Sequence, residues 1–277
     1  MDRFHLDELR LGMLLRNDPW KLAAELPSRF RGRYEYSDYP SLTGPITGDL
    51  SKARLISASI HFGVPVQIDV NKMLDDCAAA VIELFFGDWY LHKRDPVTFV
   101  PAPWTKEDAY HSYLKHVWFP PYTEGVFLCM LGEYWEEAER LSVWLHSDLD
   151  MGYQGDLEPE VGQIIIAMAA SIAGNKEVDL ESLAAAVAKT RKKRPKLLFD
   201  LLKAICERDQ EAFDTALTAS LKHFASRKPD QWELCDDWIA WYPSTLCLYG
   251  NHLGLKTPDL PRNLAIRLIT RQSVGLE

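Results

Sequence analysis

The sequence predicts an all-α protein built from stacked antiparallel helix hairpins, and three observations lead there. Apolar residues recur at helical spacing along most of the chain. The few alternating stretches, such as Val97 to Val100, are short and bounded by proline, which a central strand does not tolerate. Met130 to Ala138 also aligns without gaps to Ala204 to Ala212, at an offset of 74 residues. In both copies an apolar helix meets a short polar turn, then an acid-plus-alanine start to a second helix. With 47% hydrophobic and 26% charged residues, the 277-residue chain can bury a core, so disorder is excluded as its main state.

The elements follow in order. Asp2 to Arg16 reads as an amphipathic helix with Leu6, Leu9, Met13 and Leu14 on one side. Pro27 to Gly48 is looser, with Pro40, Gly44, Pro45 and Gly48 as breakers. Asp49 is placed to cap a helix running to His61, ended by Gly63 and Pro65. Asp69 is placed to cap the next, in which Val70, Met73, Leu74, Cys77, Val81, Leu84 and Phe85 recur at helical spacing. Pro96, Pro101 and Pro103 make a rigid connection. Thr105 opens a helix with Asp108 three residues on, near a capping box, and Pro120-Pro121 stop it.

From there the helices come in pairs: Val126 to Leu131 with Glu136 to Leu145, then Pro159 to Ala173 with Leu180 to Lys189. Pro195 suits the first turn of a helix to Glu207, partnered by Gln210 to Phe224. Leu234 to Leu253 and Leu260 to Ile269 close the chain. The expected arrangement is tetratricopeptide-like, because each hairpin buries its apolar face against its neighbours. A helical region over residues 1–120 and a helix-hairpin region over 121–277 are expected to pack as one continuous domain.

The opening residues, Met1 to Leu9, carry charges where a signal peptide needs an apolar stretch, and no run reaches the length of a membrane span. A cytoplasmic protein with no membrane partner is expected. The five cysteines, Cys77, Cys129, Cys206, Cys235 and Cys247, are odd in number and sit among apolar neighbours, which predicts buried free thiols. The net charge of −9 argues against general nucleic-acid binding, since phosphate contacts need an excess of lysine and arginine.

Dinucleotide, P-loop, zincin and α/β-hydrolase motifs are absent, so no catalytic residue, cofactor or metal is expected. Three weaker constellations were weighed. Asp148 to Glu158 offers oxygens at alternate positions, as a calcium loop does. Tyr153 stands where that loop needs glycine and the last acid comes one residue early, which favours a plain interhelical turn. Glu107 and His111 lie one helical turn apart but lack a third ligand, since His116 lies further round the helix. Lys189 to Lys196 holds six basic residues in eight and reads as a solvated helix C-terminus rather than a phosphate contact.

The charge map points elsewhere. Leu141 to Asn175 lacks lysine and arginine and holds Asp148, Asp150, Asp156, Glu158 and Glu160. Pro229 to Leu255 repeats the pattern with Asp236 and Asp237 beside Trp232, Trp238, Trp241 and Tyr242. Acids beside large aromatics suit an interface with a basic partner, charges steering and aromatics anchoring. The alternative is that Trp238 and Trp241 are core residues and the acids a wet face. The partner-binding candidates are therefore Asp148, Asp150, Asp156, Glu158 and Glu160 first, then Asp236 and Asp237.

The segment Leu201 to His223, an apolar helix, a short acidic turn, Ala-Phe and a helix ending in histidine, resembles the Immunity protein 49 family. Pro243 to Leu255, with its small residues and Gly turn, and Pro258 to Leu264, with Leu-Pro, two residues and a leucine, are similar to the same family. Trp238 and Trp241 depart from it, where smaller residues are the family's pattern. The immunity proteins paired with PoNe-type DNase toxins have similar closing helices. The resemblance implies an antitoxin of a bacterial polymorphic toxin system, which binds and silences one cognate toxin, itself basic around its active site. The competing expectations are a tetratricopeptide-like scaffold or adaptor for a cellular protein, and a helical metalloenzyme.

Overall fold

A computed structural model of the protein describes residues 43–86, 119–148, 159–174, 178–227 and 238–277. The all-α expectation holds: the described residues form helices and no strand. None of the described helices is long and apolar enough to cross a membrane. The expected helices at 2–16 and from Thr105 lie outside the described residues.

Helix α1 is Thr43–His61, beginning well before the expected start after Asp49. Pro45 sits in its first turn, where the missing N–H would have no helical acceptor in any case. Asp49 is thus inside the helix and not its cap. The end is as expected: Gly63 takes φ 72°, and Val64 N–H bonds back to Ser59 O at 2.8 Å. Helix α2, Val70–Phe86, begins as expected, with Asp69 accepting the Lys72 N–H at 3.2 Å. Its Met73, Leu74, Cys77, Val81, Leu84 and Phe85 are all buried. Helix α3, Phe119–Leu131, begins earlier than the expected Val126, with Pro120-Pro121 in its first turn; the helix expected before them lies outside the described residues.

Helices α4, Trp135–Asp148, α5, Pro159–Ile172, and α6, Leu180–Lys189, match their expected positions within a few residues. So do α7, Lys193–Glu207, and α8, Gln210–Ala225, which pack against each other more extensively than any other pair. Asp179 caps α6 through Ser182 N–H at 2.8 Å, and Asp209 caps α8 through Ala212 N–H at 3.0 Å. The last two expected helices are shorter than the periodicity suggests. Helix α9 is Trp241–His252 and α10 is one turn, Arg262–Ala265, followed by a 3-10 turn at Gln272–Val274. Other partners take the backbone groups that a continued helix would use. Ala240 N–H bonds Arg267 O at 2.8 Å, and Ile269 N–H bonds the Ser244 hydroxyl at 3.1 Å.

The internal similarity survives with a shift of one residue. Glu133 (φ 63°) and Arg208 (φ 54°) are both left-handed residues ending a helix. Tyr134 N–H bonds Cys129 O at 2.8 Å, and Asp209 N–H bonds Ala204 O at 3.0 Å, closing the α3–α4 and α7–α8 turns in the same way. Hydrogen-bond geometry therefore registers the copies at an offset of 75 residues, whereas the matched glutamates align them at 74. Contacts also join elements far apart in the chain: α1 with α3 and the 3-10 turn, α5 with α7, α3 and α7 with α9. One apolar cluster runs from Leu50 to Leu276. Arg271 pins the chain end, donating to Leu131 O at 2.8 Å and Glu277 O at 2.7 Å while facing the Glu133 carboxylate at 3.3 Å.

At the end of α1, His61 donates from Nε2 to Ile266 O at 2.8 Å, and its buried Nδ1 has no partner. That is the neutral ring, and burial pushes the imidazole pKa below its ordinary value. The unfolded chain therefore binds the proton more readily. Stability is expected to be full above about pH 6.5 and to fall as the pH drops toward the depressed folded value. Thermal melts from pH 8 to pH 5 check this: His61→Asn should flatten the slope, and an unchanged slope would assign it to other groups.

Candidate functional site

Most of the acidic residues singled out by the sequence cannot be placed against one another. Asp150, Asp156, Glu158, Asp236 and Asp237 lie outside the described residues, as do Trp232, Glu107, His111 and His116. Asp148 is the last residue of α4, with its side chain outside the description, and Glu160 is half-buried in the first turn of α5. There an acid is favoured by the helix dipole, which is a local reason for its presence. Trp238 is buried with Ile239 and Ala240, the core alternative weighed for it. Cys77, Cys129 and Cys247 are buried free thiols, and burial pushes the Cys247 thiol up to about 11. Cys206 is free and half-buried, and Cys235 lies outside the described residues. Among the described residues no three histidine, cysteine or acidic side chains are grouped to hold a metal ion.

The basic run from Lys189 to Lys196 is not only a helix C-terminus. Lys189 ends α6, but Lys193, Arg194 and Lys196 lie in the first turn of α7, where the helix dipole disfavours cations. Lys192, Lys193 and Lys196 are exposed, so water screens that cost. Arg194 differs, because it lines a cleft.

That cleft, of about 420 Å³, lies where α1, α3, α7 and α8 meet the start of α9. Its apolar wall includes Phe127, Leu198, Ile239 and Pro243. Among the described residues that line it, Arg54, Arg194 and Arg227 bring three positive charges against the one negative charge of Glu124. Each guanidinium lies over an aromatic ring: Arg54 over Trp241 at 4.0 Å, Arg194 over Tyr242 at 5.0 Å and Arg227 over Phe224 at 5.6 Å. Trp241 is held from another side by Phe127, edge to face at 5.3 Å. Glu124 is buried, bonded by Arg54 and by the Ser51 hydroxyl at 3.0 Å. With its carboxylate committed, the lining is set to hold an anion. His223 and Ser220 from α8 complete the wall.

A second feature is an open groove on the α7–α8 pair. Its floor is small, with Ala204, Ala212, Ala216 and Ala219, and its rim carries Asp200, Glu207, Asp209 and Glu211 against Lys203. Lys203 faces Glu207 at 3.8 Å, an exposed pair of little energetic weight. Asp209 is occupied as the α8 cap. Burial raises the Asp200 pKa, with Lys203 pulling against it.

Sequence reasoning missed the cleft because its residues are distant along the chain. Arg54, Glu124 and Arg194 belong to three helices far apart in the chain, and only packing brings them together. The signals were partial: Arg194 sits in the basic run, and His223 and Glu211 in the segment that carries the family resemblance. No protein-family model matches the chain, and neither a curated protein nor a solved structure matches it.

Proposed function

We propose that the protein is an immunity protein: a cytoplasmic, non-catalytic binder that neutralises a basic toxin by direct contact, through a surface that includes the α7–α8 groove. One observation carries this reading. The Leu201 to His223 segment, which resembles the Immunity protein 49 family, presents Glu207 and Glu211 around a floor of alanines, with Asp200 beside them. Small floor residues let a partner's backbone approach closely, and the surrounding carboxylates attract a basic partner and reject an acidic one. The chain's net charge of −9 adds long-range attraction of the same sign. The acidic stretch from Asp148 to Glu160, with Asp236 and Asp237, is proposed as an additional partner-facing surface on charge alone.

The test is co-expression with the toxin encoded beside this gene, followed by binding kinetics on the purified pair. Asp200→Lys with Glu211→Lys is expected to slow association about tenfold and to weaken its salt dependence, with helical content unchanged. Charge reversal at Asp150 and Asp156 tests the other surface separately. Because the Asp200 carboxyl protonates above its ordinary range, affinity through the groove should begin to fall at a higher pH than for a fully solvated aspartate. If the toxin kills regardless of co-expression and no complex forms, the immunity reading is wrong and a scaffold for other cellular proteins takes its place. If a complex forms that ignores the groove substitutions, the function stands and the groove assignment fails.

A further inference from the structure

We infer that the cleft between α1, α3, α7, α8 and α9 is a binding site for a phosphate monoester carried on a compact apolar body, separate from the groove assigned above. Three features of the cleft lead there. The first is charge. Arg54 is paired with Glu124, and among the described residues neither Arg194 nor Arg227 is in an ion pair. Two cations are thus uncompensated by the lining, in a chain whose net charge is −9. A phosphate monoester carries about −1.5 to −2 at neutral pH and matches two guanidiniums, whereas a monocarboxylate leaves one unmatched.

The second feature is geometry. The guanidinium carbons of Arg194 and Arg227 lie over the Tyr242 and Phe224 rings, at 5.0 Å and 5.6 Å. A guanidinium held over a ring still has N–H groups to offer a ligand, which suits contact with an oxyanion. The third is size. About 420 Å³ falls within the range of organic-ligand pockets and exceeds the needs of a bare inorganic ion. Phe127, Leu198, Ile239 and Pro243 supply apolar wall for the rest of the ligand. The phosphate can come from a small metabolite or from a phosphorylated side chain, since both present the same head group.

Isothermal titration of the full chain with phenyl phosphate tests the inference, with benzoate, inorganic phosphate and a phosphotyrosine peptide as further arms. Saturable binding of phenyl phosphate is expected, weakened about tenfold by Arg194→Gln and again by Arg227→Gln. Lys196→Gln, in the same basic run but outside the cleft lining, should leave binding unchanged. Circular dichroism melts confirm that the variants fold, and Arg227 is exposed, so its variant separates binding from stability. A phosphotyrosine peptide binding more tightly than phenyl phosphate points to a modified protein as the source; weaker binding points to a metabolite. The site is overturned if phenyl phosphate does not saturate, or if both arginine variants bind like the parent. Benzoate binding as tightly overturns the phosphate assignment, and inorganic phosphate binding as tightly overturns the role of the apolar wall.

Discussion

Phe213→Ala is expected to lower the stability of the protein by about 3–5 kcal/mol, the cost of emptying a large buried aromatic site. Phe213 is fully buried in α8, among the largest sealed side chains of the core. Its ring lies against Gly250 of α9, where a Cβ would meet the Phe213 ring at 2.8 Å, with Ile205 of α7 3.4 Å from the same point. One side chain thus sits where α7, α8 and α9 meet. The glycine is required there by the close approach of the ring, because Gly250 is helical and needs no unusual backbone angle. In a thermal melt the loss should appear as a drop of roughly 10 °C. Gly250→Ala should also destabilise, by about 1–3 kcal/mol of overpacking, and Phe213→Leu in the same chain should recover part of that loss. Strict additivity of the two changes would show that the ring and the glycine do not share one space.

Glu124→Ala is expected to cost about 3 kcal/mol, for a different reason. The carboxylate is 7% exposed and the Arg54 guanidinium 17%, so the substitution removes a close carboxylate from a largely buried cation. The Ser51 hydroxyl loses its acceptor in the same step. Trp241 still covers the guanidinium at 4.0 Å, and the opening toward the cleft gives it some water, which keeps the cost near the lower end of the range for broken buried pairs. Replacing both residues, Arg54→Leu with Glu124→Ala, should restore part of the stability, because the buried guanidinium is then gone together with its carboxylate. Urea unfolding of the two single variants and the double variant measures the coupling. A double variant less stable than Glu124→Ala would mean that the pair does not behave as a buried ion pair.

These two sites mark how far the sequence could be read. Phe213 lies in a helix whose limits, Gln210 to Phe224, the sequence places within a residue, and the structure buries it. Nothing along the chain says that Gly250 faces it. The partnership of Glu124 and Arg54 is less legible still, because the expected helix began at Val126 and Glu124 fell in a connection beside Pro120-Pro121. Pro45 and Pro120-Pro121 read as breakers but lie at the start of a helix, whereas Pro159 and Pro195 read as helix starts and are. The proline ring forbids a helix interior but fits a first turn, and local sequence does not separate the two cases without knowing where the buried face lies.

By itself the sequence determined the helical class, the core face of α2 and the cap Asp69. These depend on residues within one or two helical turns of each other, where spacing along the chain is distance in space. Only the tertiary structure decided the reach of the closing helices, the one-residue shift between the two hairpin turns and the meeting of Arg54, Arg194 and Arg227 around one cleft. Those depend on backbone bonds such as Ala240 to Arg267 and on packing between helices more than a hundred residues apart. Burial and backbone pairing override local helical preference when the two conflict, because a tertiary contact can outweigh the fraction of a kilocalorie per mole by which residues differ in propensity.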